Sequence, residues 1–157
     1  MLEQIIHSKI GWFHTISAIL AMIFGTMVVL RTKGDRLHKR LGYAYVSCMF
    51  ALNISAFFII NFDGFSIFHF FAIVSLVTVI GGLIPAIRRP KNWFTPHFYF
   101  MSWSVVGLYC AFWAEVGTKF VKSMAQFWWA VALATFITAG IGSIVIRKQA
   151  KKLNLTK

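Results

Sequence analysis

The fold of this chain is decided by residues 10–40, which read IGWFHTISAILAMIFGTMVVL up to Leu30 and RTKGDRLHKR from Arg31 onward. The first part is mostly apolar, and about 20 such residues are enough for a helix to cross the hydrocarbon core of a bilayer. The second part is a short loop rich in Lys and Arg. An apolar helix that ends at a cluster of cations is typical of a membrane span that ends at the cytoplasmic surface.

Four further apolar runs have the same character. The predicted spans are residues 10–30, 41–60, 65–87, 97–116 and 127–146. The runs do not alternate as the strands of a membrane barrel do, and a helix satisfies its own backbone hydrogen bonds in lipid. The sequence therefore predicts an all-α integral membrane protein, with five transmembrane helices in a compact bundle that form a single transmembrane domain over residues 1–157.

The composition excludes several other classes of protein. Hydrophobic residues make up 59% of the chain and charged residues only 13%, whereas a soluble domain is about half apolar and about one quarter charged. An ordinary soluble enzyme and a disordered chain are both excluded. The formal net charge of +12 does not indicate nucleic-acid binding, because the cations lie between apolar runs and do not form one basic face.

The placement of the cations predicts the orientation in the membrane. Most of the 16 Lys and Arg residues lie in the loop 31–40, just after the third span, or in the basic tail 147–157. Lys9, Lys119 and Lys122 lie on the other side. Because cytoplasmic loops are enriched in Lys and Arg, we expect the amino terminus outside and the carboxyl terminus in the cytoplasm. Anionic lipids at the cytoplasmic face are the predicted partners of these cations.

Four of the five histidines occur at the ends of successive predicted spans, and the side of the membrane alternates. His14 and His69 lie at the outer ends of the first and third spans. His38 and His97 lie at the inner ends of the second and fourth. Helices two apart in sequence can face each other in a four-helix arrangement, which predicts an outer and an inner histidine pair. The alternative is that these histidines are structural and hydrogen-bond water or headgroups.

Paired histidines suit haem, because imidazole is a good axial ligand of haem iron. Two stacked sites with haem b would carry electrons across the bilayer to a membrane redox partner or a quinone. In this interpretation Arg36, Lys39 and Arg40 are partners of the haem propionates at the inner rim. The plan resembles that of the b561-type transmembrane cytochromes, although none of their sequence motifs is present. His38 and His97 lie closer to the membrane surface than haem ligands usually do.

The outer rim also suggests a transition-metal site formed by His14, His69 and Glu115. Glu115 is the only acidic residue inside an apolar run, and a carboxylate within a membrane is costly enough to indicate function. Two histidines and one carboxylate suit zinc or iron with one position open. The competing interpretation is a non-catalytic accessory or assembly subunit of a membrane complex. The sequence identifies no catalytic residue, so it leaves open whether the protein is an enzyme.

Residues 33–46, KGDRLHKRLGYAYV, resemble the signature loop of a bacterial family of predicted membrane proteins, domain of unknown function 2306. In that family a basic loop leads into His-Arg-x-x-Gly and an aromatic-rich helix, whereas here Lys39 separates His38 from Arg40. Further similar positions are His14, Gly25, His69, His97 and Met101. The resemblance implies a small multi-pass protein of the bacterial inner membrane. It implies no particular activity.

Overall fold

The computed structural model describes residues 9–59, 65, 67–117 and 123–155. These residues form helices joined by turns and contain no strand, which confirms the all-α prediction for this part of the chain. The helices are α1 (Lys9–Leu30), α2 (Arg36–Ala56), α3 (Ile67–Arg88), α4 (Phe94–Gly117) and α5 (Met124–Lys152). Each overlaps one predicted span. Some residues of the predicted spans and outer loop lie outside the described residues, namely Ile60, Ser66, Lys119 and Lys122.

Three of the described helices are long and apolar enough to cross a membrane by length and composition. They cover Lys9–Leu30, Ile67–Arg88 and Ala125–Lys152. The other two are long enough but more polar, since α2 has 21 residues and α4 has 24. Their buried polar side chains are Asn53, Ser55, Ser102 and Ser104. The described residues therefore contain three candidate membrane spans.

The chain divides into two compact units, Met1–Ile80 and Gly81–Lys157. In the first unit α1 packs against α2. The face of α1 that is buried carries Ser17, Ala21 and Gly25, which recur every four residues. Small residues at this spacing allow two helix backbones to approach closely in a membrane. Tyr45 and Met49 are the largest fully buried side chains of α2.

In the second unit α4 packs against α5. A methyl group added to Gly142 of α5 would lie 2.5 Å from one methyl carbon of Val106 and 2.9 Å from the other, so the glycine is required for this approach. Farther along, Ile146 and Ala150 pack on Phe98 of α4. Helix α5 therefore continues past the end of the predicted span, and the first part of the basic tail is helical.

A lysine side chain caps the carboxyl end of α1. The Lys33 ammonium donates hydrogen bonds to the carbonyls of Val28 and Val29, at 2.7 and 2.6 Å. Gly34 follows with a φ of +93°, a conformation that glycine adopts without steric cost. Burial lowers the pKa of Lys33 to about 8, so the side chain is still mostly charged at neutral pH. Its positive charge then stabilises the carboxyl end of α1, which is the negative end of the helix dipole.

The amino end of α2 is capped by Asp35. One carboxylate oxygen accepts the His38 backbone N–H at 2.6 Å, and the other accepts Arg31 Nη2 at 2.7 Å. The hydrogen bond from Arg31 and then that from His38 lower the pKa of Asp35. This cap explains why α2 begins at Arg36, before the apolar run that was predicted as the span.

Replacing Gly142 by alanine should destabilise the α4–α5 pair, because the new methyl group collides with Val106. Overpacking of this kind costs about 1–3 kcal/mol. Gly140 is the matched control, since a methyl group there meets nothing within 4 Å. We expect thermal unfolding in detergent, followed by circular dichroism, to shift downward for Gly142→Ala only. Adding Val106→Ala should restore the midpoint, and equal midpoints for Gly142→Ala and Gly140→Ala would contradict the packing.

Asp35→Ala should loosen the first turn of α2, because it removes both hydrogen bonds that the carboxylate accepts. Asp35→Asn keeps an oxygen that can accept the His38 N–H and should retain most of the protection. Hydrogen exchange of the His38 amide is the measurement. Since the pKa of Asp35 is lowered in the folded chain, its contribution is present at neutral pH and is lost as the pH falls through that pKa. Unchanged exchange in Asp35→Ala would refute the cap.

Candidate functional site

His14 is held across the first helix pair. It lies on α1, and its Nδ1 is 3.0 Å from Oγ of Ser55 on α2. Ser55 is buried and donates its hydroxyl hydrogen to the Leu52 carbonyl at 2.8 Å. The contact ties the amino-terminal part of α1 to the carboxyl end of α2.

His69 lies in the first turn of α3 among aromatic rings. Only 6% of its surface is exposed. Its ring stacks on Phe65 with centroids 5.3 Å apart and contacts Phe57 at 5.9 Å. Phe57 caps the carboxyl end of α2, two residues after Ser55. Both members of the predicted outer pair therefore contact the same end of α2, within one unit. Direct pairing of the two rings stays a prediction.

His38 lies in the first turn of α2, where its backbone N–H binds Asp35. The basic loop around it divides into two groups. Arg31 and Lys33 are used to fix the ends of helices. The predicted propionate partners are instead exposed at the amino end of α2, namely Arg36, Lys39 and Arg40. These three cations can face an anionic ligand or lipid headgroups.

His97 lies in the first turn of α4 and bonds to α3. Its Nδ1 is 2.8 Å from the Gly82 carbonyl oxygen, three residues before Pro85. A methyl group on Gly82 would lie 2.6 Å from the Met101 sulfur. Glycine therefore lets the start of α4 approach this turn of α3.

The remaining predicted combinations stay predictions. His38 belongs to the first unit and His97 to the second, and Glu115 also belongs to the second. Among residues 9–59, 65, 67–117 and 123–155, no three His, Cys, Asp or Glu side chains form a group that could hold one metal ion. The three-ligand site at the outer rim thus gains no support from this part of the chain.

Ser55 and Gly82 were not predicted as partners of the histidines. The signal was present in the sequence, because residues equally distant from a helix–helix turn meet in an antiparallel pair. His14 and Ser55 are equally distant from the turn at Gly34 and Asp35, and Gly82 and His97 are equally distant from the turn at Arg89 and Pro90. The small residues Ser17, Ala21 and Gly25 are a second signal in the sequence, because their spacing of four marks the buried face of α1.

Comparison with known proteins agrees with this architecture. The model of a family described as predicted membrane protein, DUF2306, matches residues 11–150. No curated protein and no solved structure matches the chain. The matched range includes the loop from Lys33 to Val46 and all four candidate ligand histidines, so the resemblance inferred from that loop is confirmed. The chain belongs to the DUF2306 family of predicted membrane proteins.

Proposed function

We propose that this protein is a five-span protein of the bacterial inner membrane that binds haem through histidines and transfers electrons to or from a membrane partner such as a quinone. The observation that carries the proposal is the placement of His14 and His69 against the same end of α2. His14 contacts Ser55 there, and His69 contacts Phe57. Two histidines from different helices at one end of a bundle are the ligands that a low-spin haem needs.

Haem fits these residues better than a bare metal ion does. A zinc or iron site of the usual kind takes three protein ligands, and no such group of His, Cys, Asp or Glu forms among the described residues. A haem iron takes only two axial ligands. Phe57 and Phe65 beside His69 provide the apolar contacts that a porphyrin requires.

The crossing of α2 is supported by its register against α1. The two helices are joined by a short turn, and the contact between His14 and Ser55 lies far from that turn. Helix α2 therefore runs beside α1 over most of its length, so it reaches the same depth if α1 crosses the membrane. Its lower hydropathy comes mainly from Arg36, Lys39 and Arg40 at its amino end. Its polar Asn53 and Ser55 are buried, and a helix covered by other helices can carry such side chains.

The crossing of α4 has the same support in the second unit. Its contacts with α5 run from Phe98, which packs on Ile146 and Ala150, to Val106 opposite Gly142 and on to Cys110. The Cys110 sulfur lies 3.9 Å from the Thr135 carbonyl oxygen. These contacts extend over several turns of both helices. Helix α4 thus accompanies the apolar α5 through the same thickness of the membrane.

The alternative proposal is an accessory subunit with structural histidines. Its support is the large apolar surface of α5, on which Trp129 and Phe136 are 77% and 78% exposed. Lipid covers such a surface in a monomer, and a helix of another membrane protein covers it in a complex. A chain that binds neither haem nor metal would favour this alternative.

The five-span topology can be tested with single cysteines in a variant that lacks the two native ones. Thr32→Cys and Lys91→Cys lie on the proposed cytoplasmic side, and Phe58→Cys and Ser123→Cys lie outside. In intact cells a membrane-impermeant maleimide should label only the outer pair, and after lysis it should label all four. Because Thr32 and Phe58 flank α2, and Lys91 and Ser123 flank α4, labelling of both members of a pair from outside would show that the helix between them does not cross.

Haem binding can be tested by expressing the full chain with haem supplied and recording reduced-minus-oxidised absorbance spectra of the purified protein. We expect the sharp bands of a low-spin bis-histidine haem. His14→Ala and His69→Ala should remove the outer haem, whereas His38→Ala and His97→Ala are matched controls that should leave it. The haem content per chain, measured by pyridine extraction, should fall in His14→Ala and His69→Ala and stay at the wild-type level in His38→Ala and His97→Ala.

Two results would reject this proposal. A colourless wild-type chain that also lacks iron and other transition metals on elemental analysis would exclude the electron-transfer role. Full haem content in both His14→Ala and His69→Ala would exclude the outer site.

A further inference from the structure

The contact between His14 and Ser55 determines which ring nitrogen carries the proton. A serine hydroxyl has one hydrogen, and Ser55 donates it to the Leu52 carbonyl at 2.8 Å. Towards His14 Nδ1, at 3.0 Å, Ser55 Oγ can therefore only accept a hydrogen bond. The donor must be the imidazole, so Nδ1 of His14 carries the hydrogen.

His97 gives the same result in the other unit by independent geometry. Its Nδ1 is 2.8 Å from the Gly82 carbonyl oxygen, and a carbonyl can only accept. Nδ1 of His97 is therefore also protonated. In a neutral imidazole with Nδ1–H the only lone pair is on Nε2. Both histidines are thus held through Nδ1 by a neighbouring helix, and in both the nitrogen available to a ligand is Nε2.

We propose that Ser55 is a positioning residue, which fixes His14 as the Nδ1–H tautomer and so presents Nε2 as the only ring atom able to bind haem iron. The binding of haem by His14 rests on the proposed function, whereas the tautomer of His14 does not. Histidines that bind metals in proteins nearly always donate their second N–H to a fixed acceptor, which orients the ring. Removal of that acceptor typically weakens metal binding by about 10–100-fold.

The tautomer can be measured without any ligand. The full chain is labelled with ¹⁵N-histidine, reconstituted in lipid nanodiscs without haem, and studied by NMR at a pH above the histidine pKa. The His14 signals are assigned by their loss in His14→Ala. In the wild-type chain we expect a pyrrole-type Nδ1 and a pyridine-type Nε2 for His14. Because His14 also hydrogen-bonds the Leu52 backbone, Ser55→Ala should convert this pattern only in part into a mixture of both tautomers. Ser55→Thr, which keeps the hydroxyl, should retain the wild-type pattern.

Ser104→Ala is the matched control. Ser104 is also buried and makes the same type of hydrogen bond to a carbonyl three residues earlier, with Met101 at 2.8 Å. This variant should leave the His14 signals unchanged. The His97 signals report on folding in each sample, because the bond to Gly82 does not involve Ser55.

The haem titration provides the second readout. Ser55→Ala should raise the dissociation constant for haem by about 10–100-fold, and Ser104→Ala should not change it. A pyridine-type Nδ1 of His14 in the wild-type chain, or a Ser55→Ala spectrum identical to that of the wild type, would overturn the positioning role. The expected tautomers in a chain that binds no haem would reject the proposed function and leave the assignment of the tautomer intact.

Discussion

The constraint on which this structure depends is that backbone N–H and C=O groups inside a bilayer have no water to bond. The described residues meet it with helices, and the points that need further partners are the helix ends. Lys33 bonds two carbonyls at the end of α1, and Asp35 accepts a backbone N–H at the start of α2. Ser123 caps α5 by accepting the Gln126 N–H. Polar side chains in the turns therefore supply the hydrogen-bond partners that the backbone groups at the helix ends lack.

Close packing of the helices inside each unit depends on residues with small side chains. In lipid, helices gain no hydrophobic free energy by associating, so contact area and short backbone distances decide the pairing. Ser17, Ala21 and Gly25 supply this on α1, and Gly142 supplies it on α5 against Val106. Once the turns and the small residues are in place, the register of each antiparallel pair is determined. That register brings distant polar groups together.

The placement of polar side chains in the helices also has a physical reason. Among the described residues, the buried polar side chains occur on both apolar and more polar helices, namely Ser17, Asn53, Ser55, His69, Ser102 and Ser104. A polar side chain is tolerated where protein covers it. The histidines follow the same rule, since His14 bonds to Ser55 and His97 bonds to Gly82.

The sequence by itself determined the helical class, the approximate position of each helix among the described residues, the family and the separation of the cations from the apolar runs. These features are local, because a long apolar run and a basic loop act through a few neighbouring residues. Helix α2 begins before the predicted span, since the Asp35 cap extends the helix into the basic loop. Only the tertiary structure decided that Ser55 is the partner of His14 and that Gly82 is the partner of His97. Such contacts depend on helix register and on which ring nitrogen finds an acceptor, and both are set by residues far apart in the chain.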